Sequence, residues 1–101
     1  MSTNVWEASL PEGWYEGYKD MVEERTSKRN GLPYWLFVFR VEHNGVSGRF
    51  AFYCGHHRAE EAKALKLALA INPFARVRIA KKDGVAGMVV AEVKTKEARV
   101  Q

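Results

Sequence analysis

The chain has 101 residues, 47% of them apolar and 28% charged, with a formal net charge of +4. That length suits one small domain, since single cores take roughly 100–150 residues, and no apolar run approaches the ~20 residues of a membrane-spanning helix. The single cysteine, Cys54, excludes an internal disulfide framework, and Met1-Ser2-Thr3-Asn4 holds no basic-then-apolar leader, so a reducing, cytoplasmic setting is expected.

Residues 1–12 show no periodicity and read as a flexible arm, in which Trp6 is either a packing plug or an exposed aromatic. Pro11-Glu12-Gly13 reads as the turn that opens the domain, taken as residues 13–94. Trp14–Arg25 reads as a long first strand, with Gly17 as a bulge or bend of the sort a barrel needs to close. A basic, polar loop, Thr26–Pro33, follows. Tyr34–Glu42 alternates most clearly. Trp35, Phe37, Phe39 and Val41 fall on one face, Tyr34, Leu36, Val38 and Arg40 on the other, and the uncharged aromatic set belongs to the core. Past His43-Asn44-Gly45, Arg49–Cys54 alternates again, with Phe50, Phe52 and Cys54 inward and Arg49, Ala51 and Tyr53 outward.

Arg58–Ile71 is rich in Ala, Leu, Lys and Glu, carries Glu60 and Glu61 in its first turn and stops at Asn72-Pro73, so it reads as a helix. Its apolar residues, Ala62, Leu65 and Leu69 on one side with Ala64, Leu67 and Ile71 well round from them, span more than the ~100° stripe of a surface helix. The expectation is deep packing against the sheet, with a homodimer contact as the alternative. Arg76–Lys82 reads as a fourth strand with Val77 and Ile79 inward and Arg76 and Arg78 outward, Gly87–Lys94 as a fifth, and Thr95–Gln101 as a frayed tail. Asn30-Gly31, Asn44-Gly45 and Asp83-Gly84 supply the positive φ angles of tight turns, so each reads as a hairpin connection. The order strand, strand, strand, helix, strand, strand predicts a mainly β domain: a five-stranded OB-like barrel with one α-helix between strands 3 and 4.

Charge is uneven along the chain. Residues 1–57 hold six Lys/Arg against seven Asp/Glu, and residues 58–101 hold ten against five. A basic half suits a polyanion, although the same excess also serves as a solubilising surface. Single-strand binders combine cations along the backbone with aromatic rings on which bases stack. In OB folds that surface lies on strands 2 and 3 and the loops flanking them. Tyr34, Arg40, Arg49 and Tyr53 fall on the outward faces there, Lys28 and Arg29 in the first flanking loop, and Lys81 and Lys82 beside the second. Taken singly, each of these also fits a plain structural role, because Tyr and Arg cover apolar strand faces while keeping a polar tip wet. Their convergence on one face is what favours nucleic acid.

Cys54-Gly55-His56-His57 groups zinc-ligand types, but a structural zinc needs four ligands and only His43 is left to complete the set, so Cys54 reads as a core residue. Glu23-Glu24 reads as a solvated strand end. Neither a Gly-rich phosphate loop nor a nucleophile elbow is present, so the chain reads as a non-enzyme without a cofactor.

Leu10-Pro11-Glu12-Gly13-Trp14-Tyr15, Thr26-Ser27-Lys28-Arg29-Asn30-Gly31-Leu32-Pro33-Tyr34-Trp35, Phe39-Arg40-Val41 and Gly48-Arg49 together resemble small phage-encoded OB-fold single-stranded DNA-binding proteins. The resemblance spans most of residues 10–80. It implies coating of single-stranded DNA, without sequence preference, during phage or plasmid replication and recombination, with Lys28, Arg29, Tyr34, Arg40, Arg49 and Tyr53 lining the groove. Many such proteins end in an acidic partner-recruiting tail, whereas this chain ends Thr95-Lys96-Glu97-Ala98-Arg99-Val100-Gln101, so recruitment of that kind is not expected. The alternative function is a protein-interaction module, a phage factor binding a host protein through the helix face that holds Leu67 and Ile71.

Overall fold

A computed structural model of the chain describes residues 10–84 and 87–96. In chain order it contains β1 (Gly13–Thr26), β2 (Pro33–His43), β3 (Val46–Cys54), a 3-10 turn (His56–Arg58), α1 (Ala59–Ile71), β4 (Phe74–Lys81) and β5 (Met88–Thr95). The strands make one antiparallel sheet in the order β3-β2-β1-β4-β5. Strand count, helix position and element order agree with the sequence reading. β3 and β5, the two outer strands, approach one another, but no ladder joins them among the described residues. The sheet is therefore curled and not closed.

β1 makes the curl. Its first half, Gly13–Tyr18, pairs with β4, and Gly17–Thr26 pairs with β2. The register shifts between Lys19 and Met21, which leaves Asp20 as an extra residue. Such a bulge sharpens local twist and bends the strand. The bend expected at Gly17 thus sits three residues further on. Gly17 serves a different purpose: a Cβ there would lie 3.2 Å from Val77 Cγ2, so its lack of a side chain lets β1 and β4 pack closely.

The core fills the concave side. Phe37, Phe39, Val41, Phe50, Phe52 and Cys54 point in from β2 and β3, and Ala75, Val77 and Ile79 from β4, as the alternation predicts. Leu10, just before β1, already packs among them. Leu36 and Val38 face the other way, opposite Tyr53 and Ala51, yet both are buried. The outer face therefore has a small apolar floor of its own.

α1 corrects an expectation. Only Ala62 and Leu69 are buried, while Leu67 and Ile71 are 67% and 65% exposed, so the helix rests on the sheet by one edge and is not deeply packed. It covers the region where β3 nears β5. Asn72 ends it: its backbone N–H still donates to the Ala68 carbonyl, and its side-chain oxygen accepts from the Phe74 N–H.

Of the turn expectations, one holds and one needs refinement. Asn44-Gly45 is a two-residue hairpin with both residues at positive φ. Asn30-Gly31 lies inside a longer connection, closed by hydrogen bonds from Gly31 N–H to the Ser27 carbonyl and from Ser27 N–H to the Leu32 carbonyl. The arm residues through Ser9, with Trp6, and the tail from Glu97 lie outside the described residues; Thr95, assigned to the tail, pairs with Ala75 at the end of β5.

Candidate nucleic-acid interface

The outward side of β2 and β3 is built by strand parity. Tyr34, Leu36, Val38 and Arg40 alternate out from β2, and Arg49, Ala51 and Tyr53 stand opposite on β3. Tyr34 and Tyr53 sit side by side at one end, ring centroids 6.3 Å apart and tilted by 38°. Tyr53 is 52% exposed. Leu36 and Val38 lie beyond them along β2. Beside Tyr34, the Arg25 guanidinium is held above its ordinary pKa, first by its hydrogen bond to Glu23 and then by one to Tyr34. The Glu23-Glu24 segment is thus partly engaged in a surface ion pair.

The connections at that end bring cations to the rings. The exposed Lys28 and Arg29 follow one residue after β1, whose penultimate residue Arg25 is the register partner of Tyr34. Across the gap between β3 and β5, Tyr53, Phe52, Arg58, Lys81, Lys82 and the β5 segment Val89–Ala91 line a cleft of about 300 Å³. Tyr53 and the lysines of the β4–β5 turn, 28 residues apart in sequence, therefore share one surface depression. Arg58 was not anticipated. It lies over the Phe52 ring, 5.7 Å from its centroid, and its Nη2 donates to Glu61 Oε2 at 2.6 Å. Glu61 is held below the ordinary carboxylate range by that bond. A cation four residues beyond a strand end is visible in sequence, but not that the helix start turns it back over the sheet gap.

Arg40 and Arg49 form a separate group. They are direct cross-strand partners, a like-charge juxtaposition that is unfavourable alone. The bulge residue Asp20 resolves it: its Oδ1 is 3.1 Å from Arg40 Nη2 and its Oδ2 is 2.8 Å from Arg49 Nε. The sequence reading took both arginines as phosphate contacts and missed this carboxylate. Asp20 keeps the outward parity of Tyr18, but the sequence reading assigned no faces to β1, and the shift after Lys19 turns Met21 outward as well. Six residues at ~3.3 Å each place Arg40 about 20 Å from Tyr34 along β2.

Neither a known protein family, a curated protein nor a solved structure matches the chain.

Cys54, His56 and His57 do not converge. Cys54 faces the core, while His56 and His57 are exposed on the 3-10 turn with their rings edge to face. Burial pushes the Cys54 thiol above its ordinary pKa, against a smaller downward pull from Arg58. Among the described residues there is no group of three or more metal-ligating side chains, and no helix is long and apolar enough to cross a membrane.

Proposed function

We propose that this chain is a non-enzymatic single-stranded nucleic-acid-binding protein on an OB-like barrel, with single-stranded DNA as its target. One observation carries the reading: Tyr53, paired with Tyr34, shares a cleft with Lys81, Lys82 and Arg58 across the gap between β3 and β5. Rings for bases beside cations for phosphates are the two elements that sequence-tolerant strand binding requires. The curled sheet, the split pairing of β1 and the approach of β3 to β5 support the barrel. The resemblance of residues 10–80 to phage single-stranded DNA-binding proteins supports a role in replication or recombination. Titration of a labelled ~30-nucleotide single strand, followed by anisotropy at low and high salt, tests it. Saturable, salt-sensitive binding stronger than to duplex is expected, and Tyr34→Ala with Tyr53→Ala should each cost ~1–3 kcal/mol. Equal affinity for duplex, or none at low salt, refutes the reading.

A second reading rests on Leu67 and Ile71, large apolar side chains standing free on α1. They suit a partner protein or a second copy of the chain. Leu67→Lys should then abolish association and leave strand binding intact.

A further inference from the structure

We infer that the outward face of β1, β4 and β5 is a second segment of the strand-binding track, continuous with the first and centred on Tyr18, Phe74, Arg76 and Lys94. The inference rests on the single-strand reading and extends it to a part of the sheet that the sequence analysis left without a role.

Tyr18 is the joint. It is the register partner of Arg40 on β2 and of Phe74 on β4, so the outer face passes from one half of the sheet to the other through this side chain. Tyr18 and Phe74 are 42% and 47% exposed, with ring centroids 5.1 Å apart at an interplanar angle of 67°. Together with Arg40, Gly17 and the carboxylates Glu16 and Glu42 they line a shallow depression of about 630 Å³. Two large rings left in water beside a guanidinium make a base platform of the kind Tyr34 and Tyr53 make at the other end.

The next rank of side chains supplies charge. Arg76 Cζ lies 5.6 Å, and Lys94 Nζ 4.9 Å, from the Trp14 ring centroid. Trp14 draws both cations against its ring by cation–π attraction. Of the other cations on this face, Arg78 is bound to Glu92 at 2.7 Å and Lys96 to Glu16. Glu16, the β1 register partner of Arg76, is taken up by Lys96, and among the described residues no ion pair joins Arg76 or Lys94 to a carboxylate, so these two are the cations on this face open to a polyanion. Tyr18 and Phe74 take bases, Arg76 and Lys94 take phosphates, and Trp14 is a positioning residue.

Strand length is the readout. The first segment spans about 20 Å along β2, at most about six nucleotides, the number that the ~3.4 Å spacing along a duplex strand would fit. The two segments together need an oligomer near the upper part of the ~4–16-nucleotide range of such folds. Wild type, Phe74→Ala and Arg76→Ala/Lys94→Ala are titrated with a 6-nucleotide and a 16-nucleotide oligothymidylate, with circular dichroism melts confirming folding. On the 16-mer, Phe74→Ala should lose at least about fivefold in affinity. The double variant should lose about 25-fold at 0.1 M salt and flatten the log–log salt slope by about 1.4, the value for two single-strand phosphate contacts. Affinity for the 6-mer should stay within about twofold. Equal losses on both lengths, or no loss on the 16-mer while wild type binds both, overturns the second segment and leaves the first standing. A wild type that binds neither oligomer removes the single-strand reading itself. A wild-type dimer that Phe74→Ala dissociates assigns the face to a second copy of the chain and also overturns the inference.

Discussion

Asp20→Asn should tighten single-strand binding. The Asp20 carboxylate bridges Arg40 and Arg49 on the outer face, so these two cations reach solvent with a combined charge of +1. Replacing it with the isosteric amide adds one unit of positive charge without changing shape. A single-strand phosphate contact contributes a salt slope of about −0.7, so at 0.1 M salt one added contact is worth about fivefold in affinity. Folding should pay a small penalty. The carboxylate is one-fifth exposed and its partners more so, which places each pair in the ~0.2–1 kcal/mol range of screened surface bridges. The loss also exposes the like-charge opposition of Arg40 and Arg49. A total near 1 kcal/mol lowers the melting temperature by about 4–8 °C in a domain of this size. Anisotropy titrations of wild type and variant between about 25 and 200 mM salt, with Glu60→Gln on the far helix as a control for net charge, measure the effect. A Kd for Asp20→Asn equal to or weaker than that of Glu60→Gln, in a folded protein, would show that the strand does not cross Arg40 and Arg49.

Gly17→Ala should cost about 1–3 kcal/mol by overpacking against Val77; in a Val77→Ala background the same change should cost clearly less by urea denaturation, and equal costs would refute the close approach. Cys54 is 1% exposed and burial raises its pKa, so at pH 8 the thiol stays protonated and should react with thiol reagents orders of magnitude more slowly than in the urea-unfolded chain. Comparable rates would contradict the inward register of β3. Charge reversal of Lys81 and Lys82 should weaken strand binding more than reversal of Arg40 and Arg49, in parallel titrations at one salt concentration; the opposite ranking would place the phosphates on the strands.

What was legible in the sequence was whatever depends on local parity. Trp35, Phe37, Phe39 and Val41 are buried because they alternate within one unbroken strand, and Phe50, Phe52 and Cys54 match them across the ladder. Asn44-Gly45 was legible because a two-residue turn demands positive φ at both positions. What was not legible depends on where parity breaks or on how far an element sits from its neighbours. The Asp20 bulge puts two consecutive β1 side chains, Asp20 and Met21, on the outer face, and no residue type marks it. The helix pattern gave a wide apolar arc, but its burial depends on the distance between α1 and the sheet, which sequence does not encode locally. Tyr18, Phe74 and Trp14 went unassigned for a related reason: their meeting requires β1 and β4 to be neighbours, a pairing between segments about 60 residues apart.

The distribution of carboxylates decides where affinity has to come from. On the strands many outward cations are matched, Arg25 by Glu23, Arg40 and Arg49 by Asp20, Arg78 by Glu92, while Arg76 and Lys94 lie against Trp14 instead. In the connections the balance reverses. Lys28, Arg29, Lys81 and Lys82 are exposed and have no ion-pair partner among the described residues. A polyanion meeting this surface gains most of its Coulomb energy at the rims, where no existing pair must first be broken, while the strand face offers rings and an apolar floor. On the proposed single-strand reading, rim cations should set the on-rate and the salt dependence, and the tyrosines should set residence time once the strand is seated. Arg40 and Arg49 act in between: to bind phosphate they must share or leave Asp20, so their contribution is a difference between two ion pairs and not a full contact. This is why neutralising Asp20 is expected to strengthen binding, while removing one arginine, which takes the trio from +1 to 0, costs no more than the about fivefold of one phosphate contact.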